Sequence, residues 1–174
     1  MSSTQNVAEA SKHAAVIVDR VQLAAKDKTR WPSDDADARR SFRFRMHHIR
    51  GGLRPTLRVV VDLAHAMSIP LSAVLRPPGD LALDAAEIAR VRLRPDDPEL
   101  ALTGDEAEHR VRAAITAARE ERGLGCPTIA KHAGVSRWWV HRIENRQRNG
   151  LQLDNLIAVM RVLDIELEQT VLSR

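Results

Sequence analysis

The sequence predicts an all-α protein, and three observations support this class. Apolar side chains recur at helical spacing through most of the 174 residues. Residues 124–146 have the spacing of a helix, a tight turn and a second helix. A stripe of apolar residues in the first half of the chain recurs 96 positions later, from Leu57 to Leu153. Together these patterns predict two tandem helical domains.

Composition narrows the class of protein further. Hydrophobic residues make up 44% of the chain, which is enough for a buried core, and a single cysteine excludes an internal disulfide framework. The chain has no apolar run of membrane-spanning length, and its N-terminus lacks a signal pattern. The sequence therefore predicts a cytoplasmic protein that does not contact a membrane.

The first predicted domain covers residues 1–78. Asn6 and Glu9 have the spacing of a capping box, which would begin the first helix. The helices are expected over about residues 7–27, 33–39, 41–50 and 56–67. The second of these has almost no apolar face, and we expect Trp31 to supply the missing packing.

Residues 79–104 form a predicted linker, with a short helix over 80–91, and residues 105–174 form the second domain. Thr103 and Glu106 have capping-box spacing at the start of its first helix. Gly134 permits a sharp turn because glycine tolerates positive φ, and Ser136 is a favourable N-cap for the helix after it.

The internal repeat is carried by two apolar stripes of identical spacing. The first stripe comprises Leu57, Val60, Val61, Ala64 and Met67, and the second comprises Leu153, Leu156, Ile157, Met160 and Leu163. The stretch before the first stripe matches poorly, because Asp35 and Arg40 fall where Ile129 and Gly134 stand in the second copy. We therefore interpret the first copy as degenerate.

Residues 105–168 resemble the lambda-repressor/Cro-like (XRE) family of helix-turn-helix proteins. The resemblance implies a structural ion pair between Arg119 and Glu144, and it implies that the second motif helix enters the major groove of DNA. Gly125 and Cys126 depart from the family pattern, which has Ser or Thr and then Gln at these positions.

The resemblance gives a set of candidate DNA-binding residues in the second half. The motif helix offers Arg137, Trp138, Trp139, His141 and Arg142, and the loop after it offers Arg146 and Arg148. The two tryptophans are open to other interpretations, since either could fill the pocket of a partner protein or pack into the core.

A second basic region lies in the first half. Residues 39–58 contain seven arginines, two histidines and no acidic residue. Such a block would attract phosphate, and its candidate contacts are Arg43, Arg45, His47, Arg50 and Arg54. The alternative is an ordinary solvated face.

The last residues alternate between apolar and polar side chains. Ile165, Leu167 and Val171 fall on one side, which predicts a short β-strand. This ending resembles antitoxins of the HipB type, whose strand pairs with that of a second subunit, and it therefore predicts a homodimer. The alternative is a frayed helical tail.

These expectations define a function. The sequence predicts a sequence-specific regulator of transcription that binds double-stranded DNA, associates with the nucleoid, and is not an enzyme. It predicts no cofactor and no metal site. The alternative is an antitoxin or adaptor whose main target is a partner protein, either a toxin or a co-regulator. A third hypothesis is that one half binds DNA and the other half binds protein.

Overall fold

A computed structural model describes residues 2–32, 35–51, 54–79, 86–88, 90–145 and 150–173. The helices are α1 (Ser3–Ala24), α2 (Ala36–Arg50), α3 (Leu57–Ala66), α4 (Leu71–Leu75), α5 (Gly104–Glu121), α6 (Cys126–Ala133), α7 (Arg137–Glu144), α8 (Leu153–Val162) and α9 (Leu167–Leu172). Short 3-10 helices span Lys28–Arg30 and Pro98–Ala101. The prediction of an all-α fold is confirmed for the described residues.

Side-chain caps fix several helix ends where the sequence predicts them. Thr103 and Glu106 form the expected capping box at the start of α5, and the Ser136 side chain accepts from the backbone amide of Trp139. Gly134 has φ 68° between α6 and α7, as the turn requires. The Asn6 cap is wrong, because Ser2 caps α1 and Asn6 is buried inside the molecule.

The two halves of the chain share one hydrophobic core. Helix α1 packs along α8 of the other half, and α3 packs against α5. The segments before α3 and α8 also pair, since Leu57 donates to the Leu151 carbonyl at 3.0 Å and Leu153 donates to the Pro55 carbonyl at 2.9 Å. The predicted boundaries at residues 79 and 104 stay a prediction, and most of the expected 80–91 linker helix lies outside the described residues.

The 96-residue offset recurs in the structure. Helices α3 and α8 begin at equivalent positions, as do α4 and α9, and the equivalent residues Ser68 and Asp164 both have positive φ. However, α2 is one continuous helix where the second half has α6, a turn and α7. Two tandem helix-turn-helix domains are therefore not supported.

The predicted C-terminal strand is wrong. Leu167 and Val171 lie four residues apart, which suits one face of a helix as well as a strand, and they are buried in α9 against the rest of the chain. Arg110 of α5 donates to the carbonyls of Val171 and Ser173 at 2.8 and 2.7 Å. Ile165 is half-buried just before α9, so this apolar set packs within its own chain and the basis for a dimerising strand is lost.

No helix among the described residues combines the length and the apolar character needed to cross a membrane.

Candidate functional site

The basic block of the first half lies mainly on α2, and the structure divides it into two groups. Arg45 and Arg54 form ion pairs at 2.9 Å with Asp62 and Asp154, and Arg58 pairs with Asp105 at the same distance. These acids come from outside the block. The positive charges of these three arginines are therefore partly neutralised. Two of the predicted phosphate contacts, Arg45 and Arg54, belong to this group.

The second group of basic residues lines a pocket. Its lining comprises Lys28, Trp31, Pro32, Arg39, Arg43, Met46, His47 and Arg50, around a volume of about 650 Å³. The α2 members recur at helical spacing, so one face of the helix carries them. None of the described lining residues is acidic, so the pocket concentrates positive potential.

Local contacts hold the wall opposite α2. The Trp31 indole Nε1–H donates to the Ala25 carbonyl at 2.9 Å, and its ring packs on Phe42 with 5.3 Å between centroids. Arg39 Nε donates to the Pro32 carbonyl at 3.1 Å, which joins α2 to the segment after the 3-10 helix. Trp31 was expected to pack on a helix over residues 33–39, and its ring contact in the structure is instead with Phe42 of the continuous helix α2. Lys28 and Trp31 were not predicted as site residues, because they lie 11 and 8 positions before the basic block begins at Arg39.

A second pocket, of about 660 Å³, lies where the first turns of α1 meet the second half of the chain. Its polar lining comprises Asn6, His13, Thr128, His132, Arg161, Asp164 and Glu166, and its apolar lining includes Leu75, Ile157, Met160, Ile165 and Leu167. Sequence reasoning missed it. The available signal was that Asn6 and His13 interrupt the apolar stripe of α1.

Two polar side chains at this second pocket are buried and held in place. Asn6 donates to the carbonyls of His132 and Ala158 at 3.3 and 3.0 Å, and its Oδ1 accepts from Arg161 Nε at 3.2 Å. His13 Nε2 lies 3.3 and 3.2 Å from the carbonyls of Leu75 and Arg76, so Nε2 carries the proton. Burial lowers the pKa of His13 below its ordinary value of 6.5, and nearby arginines add to this effect.

The predicted DNA-binding residues on α7 differ in their exposure to solvent. Trp138 is 68% exposed and Arg137 is exposed, whereas Trp139 packs against the core and Arg142 is half-buried. His141 bonds to Asn145 at 2.7 Å. Arg146 and Arg148 lie outside the described residues.

The core side of this region contains the ion pair that the family resemblance implied. Arg119 Nε donates to Glu144, and Cys126 Sγ donates to the same carboxylate at 3.7 Å. Burial and the negative charge of Glu144 raise the pKa of the Cys126 thiol. Among the described residues, no cluster of three or more His, Cys, Asp or Glu side chains could hold a metal ion.

Comparison with known proteins corrects the expected family. The chain is 38% identical over 88 residues to proteins named probable 2-(5''-triphosphoribosyl)-3'-dephosphocoenzyme-A synthase in Pseudomonas paraeruginosa (strain DSM 24068 / PA7) and in Pseudomonas aeruginosa (strain UCBPP-PA14). The match covers 49% of this chain and 28% of each relative, so the chain spans less than a third of their length. No family model matches the chain. No solved structure matches it significantly.

These relatives overturn the functional expectations. They are named as a synthase, which is an enzyme and not a helix-turn-helix regulator, and this contradicts the prediction of a non-enzyme. The predictions of membership in the XRE family, of transcription regulation and of a double-stranded DNA partner are therefore wrong, and the prediction of nucleoid association is not supported. The antitoxin or adaptor alternative is not supported either. The surface features behind those predictions are real, but an outward arginine on a short helix is common to many helical proteins.

Proposed function

We propose that this chain binds a phosphorylated adenine nucleotide of the coenzyme A type, as part of an enzyme that builds a coenzyme A-derived prosthetic group. The observation that carries the proposal is the basic pocket beside Trp31, which has no acidic residue among its described lining. The name of the relatives supports it, because it specifies a triphosphoribosyl group and dephospho-CoA, and both carry phosphate chains.

The lining suits both ends of such a molecule. Arg39, Arg43 and Arg50 present guanidinium groups along one face of α2, and guanidinium groups bind phosphate oxygens in bidentate geometry. The half-buried ring of Trp31 offers an aromatic surface, on which an adenine base can stack. Met46 forms a buried apolar part of the lining. The phosphates are therefore expected along α2 and the base near Trp31.

Isothermal titration with dephospho-CoA and with ATP tests the proposal. We expect both to bind, and adenosine to bind at least about tenfold more weakly because it lacks the charge-assisted bonds to arginine. Arg43→Gln should weaken dephospho-CoA binding about tenfold for the same reason. The matched control is Arg40→Gln, which removes the same charge from an exposed position on the same helix that does not line the pocket.

Two results would contradict the proposal. One is equal affinity for ATP and adenosine. The other is an equal loss of affinity in the Arg43 and Arg40 variants, which would mean that only the general charge of α2 attracts the nucleotide.

Mass spectrometry of a mixture of the protein, ATP and dephospho-CoA tests whether the chain also catalyses a reaction. Formation of triphosphoribosyl-dephospho-CoA, with release of adenine from ATP, would support the enzymatic part, and its absence in the presence of tight binding would overturn that part alone.

A further inference from the structure

The second pocket has the features of a built binding site, independent of the proposed nucleotide site. It lies beside the first half of α1, whereas the basic pocket lies beyond the end of that helix at Lys28 and Trp31. Asn6 and His13 lie 18 and 11 residues before the last residue of α1, Ala24, which is about 27 and about 16 Å along the helix axis at about 1.5 Å per residue. A pocket of about 660 Å³ with apolar walls and a few convergent polar groups is typical of small-molecule sites.

Arg161 gives this pocket an oriented cation. Its Nε is fixed by the Oδ1 atom of Asn6, which is only 5% exposed and is itself held by two carbonyls. The two terminal nitrogens of Arg161 have no hydrogen bond or ion pair among the described residues. A guanidinium presented in this way matches the two oxygens of a carboxylate.

His13 gives the pocket an acceptor at a second position. Because Nε2 donates to backbone carbonyls, Nδ1 of the neutral ring has a lone pair, and no described hydrogen bond uses it. His13 is 8% exposed and lines the pocket. It lies seven residues after Asn6 on α1, which is about 10.5 Å along the helix axis. A ligand that reaches both groups therefore needs two polar ends.

We infer that this pocket binds a small carboxylic acid with an apolar body, whose carboxylate meets Arg161 and whose far end donates a hydrogen bond to His13. Ile157, Met160 and Leu167 contribute apolar side chains to the same lining. Asp164 and Glu166 also line the pocket, and their negative charges oppose a polyphosphate, which carries several charges, more strongly than they oppose a single carboxylate. A monocarboxylate is therefore preferred over the ligands of the basic pocket.

Saturation-transfer NMR and titration calorimetry on the full chain test this inference with 3-(4-hydroxyphenyl)propanoate. The corresponding primary amide should bind at least about tenfold more weakly, because it cannot form the charged bidentate pair. 3-Phenylpropanoate, which lacks the hydroxyl donor, should bind several-fold more weakly. Inorganic triphosphate should not displace the acid.

Arg161→Gln should cause the same tenfold loss as the amide probe, and Arg122→Gln is the matched control because Arg122 is exposed and lies outside both pockets. The inference is overturned if the acid does not bind, if the amide binds equally well, or if triphosphate displaces the acid. The probe comparisons use the unaltered protein, so they remain decisive if Arg161→Gln fails to fold.

Discussion

At the scale of single residues, this chain places charged and polar side chains inside the molecule where sequence patterns predict apolar packing or solvent. Arg20 is 1% exposed, and it donates to the carbonyls of Val74, Arg76 and Pro77 at the end of α4. Such residues are difficult to predict, since a basic residue in an amphipathic helix is usually solvated. Caps such as Ser136 were predictable because their hydrogen bonds are local.

His13 should make the stability of the protein depend on pH. Its pKa is lowered in the folded state, chiefly by burial, so the unfolded state binds its proton more tightly. The stabilisation is therefore fully present above the ordinary pKa of 6.5 and is lost as the pH falls below it. Urea unfolding at pH 7.5, 6.0 and 5.0 should show a progressive decrease in the free energy of unfolding.

His13→Gln should reduce this dependence, because a glutamine amide can donate to the same carbonyls and does not titrate. Burial also lowers the pKa of His65, so part of the slope should remain. His109→Gln is the control, since His109 is exposed. An unchanged slope in the His13 variant would show that this residue does not carry the effect.

At the scale of helices, the hydrophobic periodicity of the sequence predicted the repeated helices α3 and α8 well. The secondary structure of more ambiguous segments depends on contacts between helices. The apolar stripes of α3 and α8 are unambiguous at a period of 3.6 residues. The stretch that ends at Val171 satisfies both a helical and an alternating pattern, and packing against α4 and α5 selects the helix. The expected break near Arg40 did not occur because residue 40 is an exposed arginine within α2, a residue with high helix propensity.

Gly104 should be required for the close approach of α5 to α3. A Cβ atom at this position would lie 2.7 Å from Arg58 Cγ and 2.9 Å from the backbone of Arg58. Gly104→Ala should therefore lower the free energy of unfolding by about 1–3 kcal/mol, the usual cost of overpacking. Urea denaturation measures this change.

Gly79→Ala is the matched control for that substitution, because a Cβ atom at residue 79 would meet nothing within 4 Å. We expect a change within about 0.5 kcal/mol there, as for ordinary surface substitutions. Equal effects of the two alanines would mean that the contact with Arg58 does not set the cost.

At the scale of the whole molecule, the shared core should make the two halves unfold together. Helix α1 packs mainly on α8, so neither half keeps its apolar face covered when the other unfolds. The repeat was visible in the sequence because it preserves a stripe. The packing between the two halves could not be predicted from the sequence, because an apolar stripe on a helix does not show which other helix will bury it.

Tryptophan fluorescence can report on each half separately. Trp138→Phe with Trp139→Phe leaves Trp31 as the reporter of the first half, and Trp31→Phe leaves the pair on α7 as reporters of the second. The fluorescence transition of each variant should coincide with its own circular-dichroism transition in urea. Separated midpoints within one variant would instead indicate two independent domains.

The central claim is that a phosphorylated nucleotide enters the basic pocket beside α2. The most direct test is a titration of the uniformly ¹⁵N-labelled chain with dephospho-CoA, followed by two-dimensional NMR of the backbone amides and indole groups. We predict that the largest shift changes occur at Trp31, including its indole N–H, and at Arg43 and His47. Changes centred on α7 or on the pocket at Arg161, with the α2 signals unmoved, would contradict the account.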